Sequence, residues 1–372
     1  MRILFASHSS ALAGAEQSLI HLVGEAAERG HTGTVVLPEF GPLSIRLEEA
    51  APTFKVVILP NRLWMGRRYS PLVGMVRLVQ ALTDIPRYAS HVRSGGYDVV
   101  VVNTSVTPVP LLSAHIARVP VLQIVRESLQ TNPMLRSALP KRLIKHFLFK
   151  WSTSAVCISQ FVAKQYSYPC TVIYPQVSRD FLVSRDDRAR AVGHPPRAIM
   201  CGTISPEKGQ IDAVRAINFA RSLGTRIRLD VYGDGNPKDV RDLESVIQEL
   251  GLTDLIKLKG STADMRAAYD STDVAVVCSR NEGFGKVTAE AILTGRPVVA
   301  YGAGGTSEIL EYGGGLSTPS SPNDLGAALH AVFTQPSLLE RLRNEAHGSS
   351  LRGMLASSAQ RVITCAEELR YA

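Results

Sequence analysis

Two carboxylates, Glu282 and Glu290, stand eight residues apart and flank a Gly283-Phe284-Gly285 turn, in the stretch Ser279-Arg280-Asn281-Glu282-Gly283-Phe284-Gly285-Lys286-Val287-Thr288-Ala289-Glu290-Ala291. A strand-like run, Val274-Ala275-Val276-Val277-Cys278, precedes the turn, and a helix-like run from Val287 to Thr294 follows it. Ligands gather at such strand-to-helix corners in open α/β sheets. The glycines let the backbone approach a ligand closely, and the N–H groups that open the helix can hold an anion. Glu282 is expected in the loop at the strand's end, with Glu290 about one turn into the helix. Each carboxylate can then accept hydrogen bonds from one end of a ligand with several hydroxyls, with a phosphate between them.

A second loop, Cys201-Gly202-Thr203-Ile204-Ser205-Pro206-Glu207-Lys208-Gly209, also joins a strand to a helical run. Lys208 stands at the helix start, where ammonium and helix dipole can act on the same phosphate. An ordinary surface helix favours acidic residues at that end, so a lysine there reads as ligand-directed. Gly233-Asp234-Gly235 follows a strand but lacks the third glycine of a dinucleotide fingerprint. Asp186-Asp187 lacks flanking strands and is not read as a metal pair.

These loops need sheets to hold them. At 372 residues the chain exceeds the size at which single cores divide, so two domains are expected. Its 45% hydrophobic and 20% charged residues suit packed, soluble domains, and no apolar run reaches the length of a membrane span. The N-terminus passes straight into a β-like run, unlike a signal peptide. The five cysteines (157, 170, 201, 278 and 365) form no C-x-x-C pair, which suggests a cytoplasmic protein without disulfides or a zinc site. Residues 1–175 hold 18 Lys and Arg against 9 Asp and Glu, whereas the remainder holds 23 against 24. A basic half beside a neutral half suggests that one domain meets an anionic partner. The basic residues are dispersed and fit no recognised nucleic-acid motif, so nucleic acid is not an expected partner.

Strand-like and helix-like runs alternate, which implies an α/β protein with parallel sheets. The first half predicts strands at Ile3–Ser7, Thr34–Leu37, Val56–Leu59, Val99–Val102, Val121–Val125 and Ala155–Ile158. Helices are predicted over 15–29, 70–94, 134–151 and 160–167. Residues 176–196 are polar, end in Pro195-Pro196 and read as a linker. A second alternation follows with strands at Ala198–Cys201, Ile227–Tyr232, Ile256–Lys259, Val274–Cys278 and Pro297–Ala300. The last 40 or so residues look helical.

The Glu282–Glu290 corner resembles the double-glutamate motif of the retaining GT-B glycosyltransferases of family 4. Gly295-Arg296-Pro297-Val298-Val299-Ala300 and Gly304-Gly305-Thr306-Ser307-Glu308-Ile309 resemble the family's next strand and glycine loop. The Lys208 loop resembles its phosphate-binding loop, and Gly14-Ala15-Glu16-Gln17-Ser18-Leu19 its first strand-to-helix loop. The match is dense from about 197 to 312 and thin across the N-terminal half. It implies GT-B architecture, two Rossmann-like domains facing across a cleft. Residues 1–175 would form the acceptor domain, 176–196 the linker and 197–354 the nucleotide-sugar domain. A final helix within 355–372 would cross back to the N-terminal domain.

The resemblance also implies roles. Lys208 would neutralise the departing diphosphate, and Glu282 would contact hydroxyls of the transferred sugar. The N–H groups of Gly283, Phe284 and Gly285, leading into Val287, would line sugar and phosphate, and Glu290 would accept both ribose hydroxyls. Gly14 and Ala15 would close over the phosphate, and Lys259, Gly260 and Ser261 would meet the base through their backbone. The family's arginine after the loop glycine is here Thr203, following Gly202, and Arg280 and Lys286 are the nearest replacement cations in the motifs. Where many relatives place a histidine, this chain has Arg126-Glu127, which either serve the leaving phosphate or acceptor or simply brace the loop. His8 is a further acceptor-side candidate. The expected reaction is retaining and needs neither metal nor cofactor, since the departing phosphate takes the acceptor's proton. A UDP-sugar is favoured as donor, with GDP-sugar open, and the acceptor is a glycan, lipid-linked or small molecule. Alternatives are a nucleotide-sugar epimerase of the same architecture and a non-enzymatic polyanion binder.

Residues 140–151 form a basic amphipathic helix. Leu143, Ile144, Phe147, Leu148 and Trp151 lie on one stripe, and Lys141, Arg142, Lys145, His146 and Lys150 lie around it. Arg62, Trp64, Arg67, Arg68 and Tyr69 form a second basic-aromatic cluster. Either the stripe packs on the sheet, or the helix lies on an anionic membrane and places the protein peripherally at its inner face.

Overall fold

The computed structural model describes residues 1–66, 71–132, 135–137, 139–183 and 191–371, apart from the side chains of Pro71 and Leu72. Arg67, Arg68 and Tyr69 of the basic-aromatic cluster, and the Asp186-Asp187 pair, lie outside the described residues. The chain divides into two compact units. Unit 1 is Met1–Gln176 with Ser357–Ala372, and unit 2 is Val177–Ala356.

Unit 1 begins β1 (Arg2–Ala6), α1 (Gly14–Glu28), β2 (Thr32–Leu37), α2 (Pro42–Ala50), β3 (Phe54–Ile58), β4 (Met65–Gly66) and α3 (Pro71–Ser94). It continues β5 (Val99–Val102), α4 (Val109–Ala117), β6 (Val121–Val125), β7 (Arg136–Ser137) and α5 (Lys141–Trp151). Then come β8 (Ser154–Cys157), α6 (Gln160–Ala163) and β9 (Thr171–Val172). Its parallel sheet has the order β3-β2-β1-β5-β6-β8-β9, with β4 and β7 paired separately. Every residue of β5 and β6 is buried, as expected for central strands covered on both faces.

Unit 2 begins α7 (Arg179–Leu182), β10 (Arg197–Cys201), α8 (Gln210–Ser222), β11 (Arg228–Tyr232), α9 (Pro237–Glu249), β12 (Ile256–Gly260) and α10 (Met265–Asp270). It continues β13 (Val274–Val277), α11 (Lys286–Leu293), β14 (Val298–Tyr301), α12 (Gly304–Leu310) and β15 (Gly315–Thr318). The helices α13 (Pro322–Thr334), α14 (Pro336–His347) and α15 (Leu351–Ala356) complete it. Its six strands run parallel in the order β12-β11-β10-β13-β14-β15. Local chemistry starts the covering helices: Asn236 caps α9 by accepting from Lys238 and Asp239 N–H groups, with Pro237 at the first position.

The final helix, α16 (Ser358–Glu368), belongs to unit 1 and packs along α1. Glu367 ties it down, 2.9 Å from Arg29 and 2.7 Å from His31 Nε2. Two expectations are corrected. The segment read as a linker contains α7, because Phe181 is buried edge-on against Tyr269. Of the helix expected over 134–151, the described helix begins at Lys141, and Arg136–Ser137 pairs with Met65–Gly66 as a strand.

Candidate active site

In both sheets the strand order reverses beside the first strand, and loops at such a switch point diverge to leave a crevice. In unit 2 the reversal falls between β10 and β13. The loop after β10 carries Lys208, and the loop after β13 carries Glu282. The structure brings these two together: Lys208 Nζ donates directly to Glu282 Oε1, across 74 residues of sequence. The lysine stem runs past Gly202, 3.9 Å from where a Cβ would stand.

The helices that follow, α8 and α11, start from Gly209 and Gly285 and have no side-chain cap at those residues. Gly209 must be glycine, because its φ is +74° and a Cβ would stand 2.8 Å from Cys278. The Glu282 loop is fastened from behind, where Gly305 N–H donates to Glu282 O at 2.8 Å. A side chain at Gly305 would meet the Phe284 carbonyl at 2.5 Å, so the glycine pair opening α12 lets the loop seat.

Glu290 lies on the first turns of α11 and its side chain is 13% exposed, 3.8 Å from Lys286 Nζ. Burial pushes its carboxyl up from 4.5 to about 7, and the Lys286 ammonium opposes that rise. It therefore carries a proton for part of the time near neutrality. Thr203 contributes its carbonyl to a brace, accepting from Gln210 Nε2 at 3.1 Å, while Gln210 Oε1 accepts from Ser205 N–H. Buried Gln210 was not singled out from sequence, where a glutamine opening a helix carries no signal of its own.

Arg280 is directed elsewhere. It lies 2.7 Å from Asp212 and over the Tyr301 ring, so its charge is already answered. Beside it a cavity of about 290 Å³ is lined by Ser205, Asp212, Arg215, Asp239 and Asp242, among others. Gly233-Asp234-Gly235 forms the turn after β11. It meets Gly202 and Gly260 through the backbone, and Asp234 accepts from Ser261 Oγ. Lys259 Nζ lies 3.9 Å from Asp230.

In unit 1 the reversal falls between β1 and β5. Arg126 and Glu127 do not pair through their side chains. Arg126 donates to the Asn103 carbonyl and Oδ1, with Nη2 2.6 Å from Oδ1, and Asn103 Nδ2 donates to Ala15 O. Burial lowers the Arg126 pKa to about 10, with Glu127 and Glu16 opposing, so it stays cationic at neutral pH. Glu127 instead braces the loop after β5 by accepting from Thr104 and Ser105. His8 Nδ1 is 3.9 Å from Glu16, whose side chain is 2% exposed. Asn103 and Glu16 were missed from sequence. The available signal was Asn103-Thr104-Ser105, a polar run directly after four valines and buried throughout. Gly14 opens α1 with open space around its Cβ position. Among the described residues no three His, Cys, Asp or Glu side chains cluster as metal ligands.

Two glycine-opened helix starts, each near an acidic group at a sheet reversal, are placed where an anionic ligand can be met on a doubly wound fold. Comparison with known proteins agrees. The profile "Glycosyltransferase Family 4" matches residues 12–180 and "Glycosyl transferases group 1" matches 195–335. The chain belongs to the group 1 glycosyltransferases of the GT-B fold. It is similar to an uncharacterized glycosyltransferase of Methanocaldococcus jannaschii, with 27% identity over 54% of this chain and 53% of that protein. It is also similar to a D-inositol 3-phosphate glycosyltransferase of Streptomyces bingchenggensis, with 29% identity over 54% of this chain and 48% of that protein. The aligned part thus spans about half the length of these relatives. The crystal structure of Anabaena HepE with UDP and glucose superposes with a TM-score of 0.80 at 21% identity, covering 99% of this chain and all of that one.

Proposed function

We propose that this chain is a retaining glycosyltransferase that moves a sugar from a nucleotide diphosphate sugar, UDP-sugar by preference, to an acceptor hydroxyl. The observation that carries the reading is the Lys208–Glu282 contact between the loops after β10 and β13. In the free site each neutralises the other. On donor binding the ammonium turns to the diphosphate and the carboxylate to the sugar hydroxyls, a rearrangement that exchanges one ion pair for two charge-assisted contacts. The N–H groups opening α8 and α11 add positive potential, so the reaction needs no resident metal. Glu290, freed of its proton, accepts the two ribose hydroxyls.

The bond from the anomeric carbon to the phosphate oxygen breaks as the bond to the acceptor oxygen forms on the same face. The departing phosphate oxygen takes the acceptor's proton, so no strong protein base is required. Arg126 and His8 are assigned to the acceptor, a glycan, lipid-linked or small molecule, and Glu127 to holding the loop after β5. The fold of a structure solved with UDP and UDP-glucose supports a UDP-sugar. The setting is the cytoplasm, in contact with the inner face of the membrane. Of the helix proposed for that contact, α5, Ile144 and Leu148 are buried and Leu143 is 43% exposed, so its apolar stripe serves the core first.

Thermal-shift measurements against nucleotides and nucleotide-sugars test the donor: UDP compounds should raise Tm in the parent protein and fail to do so in Glu290→Ala. Products formed without acceptor test the reaction. Release of an epimerised donor there would replace this reading by an epimerase.

A further inference from the structure

Helix α3 is apolar on both sides. Its inner side chains Ala81, Ile85, Tyr88, Ala89 and Val92 are buried, and the helix packs on α4. On its outer side Met75, Val76, Val79 and Leu82 are 51–58% exposed. Met75, Val79 and Leu82 are spaced i, i+4 and i+7, so they line up along one face about 10 Å long, with Val76 beside them. Contiguous exposed apolar side chains on one helix mark a contact surface, unlike single scattered ones.

The exposed charges on α3 itself are of one sign: Arg77, Arg87 and Arg93 are exposed, and the helix's one acidic residue is Asp84. Asp84 is buried and both its oxygens are 2.8 Å from Arg62 Nη1, so it offers nothing to a partner. Helix α4 packs against both α3 and α5, and α5 adds exposed Arg142 and Lys150 on the same side of the sheet.

We propose that the outer face of α3 docks on an anionic phospholipid bilayer, with Met75, Val76, Val79 and Leu82 in the interfacial layer and the surrounding arginines among the headgroups. An interfacial helix needs this combination of an apolar face with basic flanks. A second copy of this chain fits less well, because symmetric pairing would set arginines against arginines with no exposed carboxylate between them. The proposal places the contact on α3 rather than on the stripe of α5, and it does not depend on the sugar-transfer reading.

Co-sedimentation of the full chain with vesicles tests it, using phosphatidylcholine alone and phosphatidylcholine with about one-third phosphatidylglycerol. The parent should bind the anionic vesicles at low salt, bind at least tenfold less to the neutral ones, and detach as salt screens the headgroups. The Val79→Glu/Leu82→Glu variant should lose at least tenfold in binding. Its Tm should stay within a few degrees of the parent, because both side chains are already exposed. It should also keep the nucleotide-induced thermal shift, which separates this test from that of the donor site. Absence of parent binding to anionic vesicles would overturn the proposal, as would full binding by the variant. So would a dimer in size-exclusion chromatography that the variant converts to a monomer.

Discussion

Replacing Glu290 by glutamine separates the cost of burying this carboxylate from its use. In the folded protein the group titrates at about 7, against 4.5 for the same carboxyl in an unfolded chain. Between those values the folded state holds a proton that the unfolded state has lost, so stability falls as pH rises through the window. The slope is about 1.4 kcal/mol per pH unit, which accumulates to roughly 3 kcal/mol above neutrality. Glutamine carries no charge at any pH and avoids this loss. The variant's unfolding free energy minus the parent's should therefore rise by about 3 kcal/mol from the acid to the alkaline side of the window. Any fixed difference in packing shifts that curve without changing its slope. Urea unfolding across the range measures it, and a difference that stays flat with pH refutes the buried-carboxylate account.

Function should move the opposite way. Each hydroxyl donating to an ionised carboxylate contributes about 1.5–3 kcal/mol, and glutamine keeps one acceptor oxygen, so Glu290→Gln should lose about one such contact and bind UDP roughly ten- to a hundredfold more weakly by calorimetry. Binding to the parent near pH 7 should also release a fraction of a proton, because the ligand favours the ionised form. Calorimetry in buffers of different ionisation enthalpy reads that release directly. A variant that is more stable at alkaline pH yet weaker in binding is the signature expected of this residue.

Lys208→Ala should lower turnover by about a hundred- to a thousandfold in a steady-state assay, by analogy with loss of one donor to developing charge. Gly209→Ala should lower Tm and abolish nucleotide binding together. A left-handed φ costs a non-glycine residue about 1–2 kcal/mol, and the Cβ collides with Cys278. Gly14→Ala has open space for its methyl, so Tm should hold while turnover falls. The thiols of Cys157 and Cys170 lie 2.9 Å apart, so a mild dithiol oxidant should join them within one chain. Peptide mapping under non-reducing conditions should find that bridge, and Cys170→Ser should remove it.

Much of the architecture could be read from local pattern. The central strands Val99–Val102 and Val121–Val125 fall where a run of four valines and an apolar run interrupted only by Gln123 placed them, since a strand buried on both faces favours such residues. The Glu282 and Lys208 loops were legible for the same reason: glycine, lysine and acidic residues at a strand-to-helix corner have few structural uses. Reading failed where a side chain's partner is distant in sequence. Arg280 looked like a spare cation until folding set Asp212 and Tyr301 beside it. Arg126 and Glu127 stand side by side in sequence with either a ligand or a bracing role open, and folding ties each to a different residue of the loop after β5. Phe181 looked like part of a linker because its polar neighbours outweighed one aromatic ring.

Periodicity and glycine spacing in the chain determined two parallel α/β units and the glycine-opened starts of α8 and α11. Tertiary packing alone decided which charges the loops before them present, how far Glu290 is removed from water, and which face of α3 stays outside. Periodicity reports whether a residue is buried, but a charge takes its effective value from whatever the fold brings within a few ångströms.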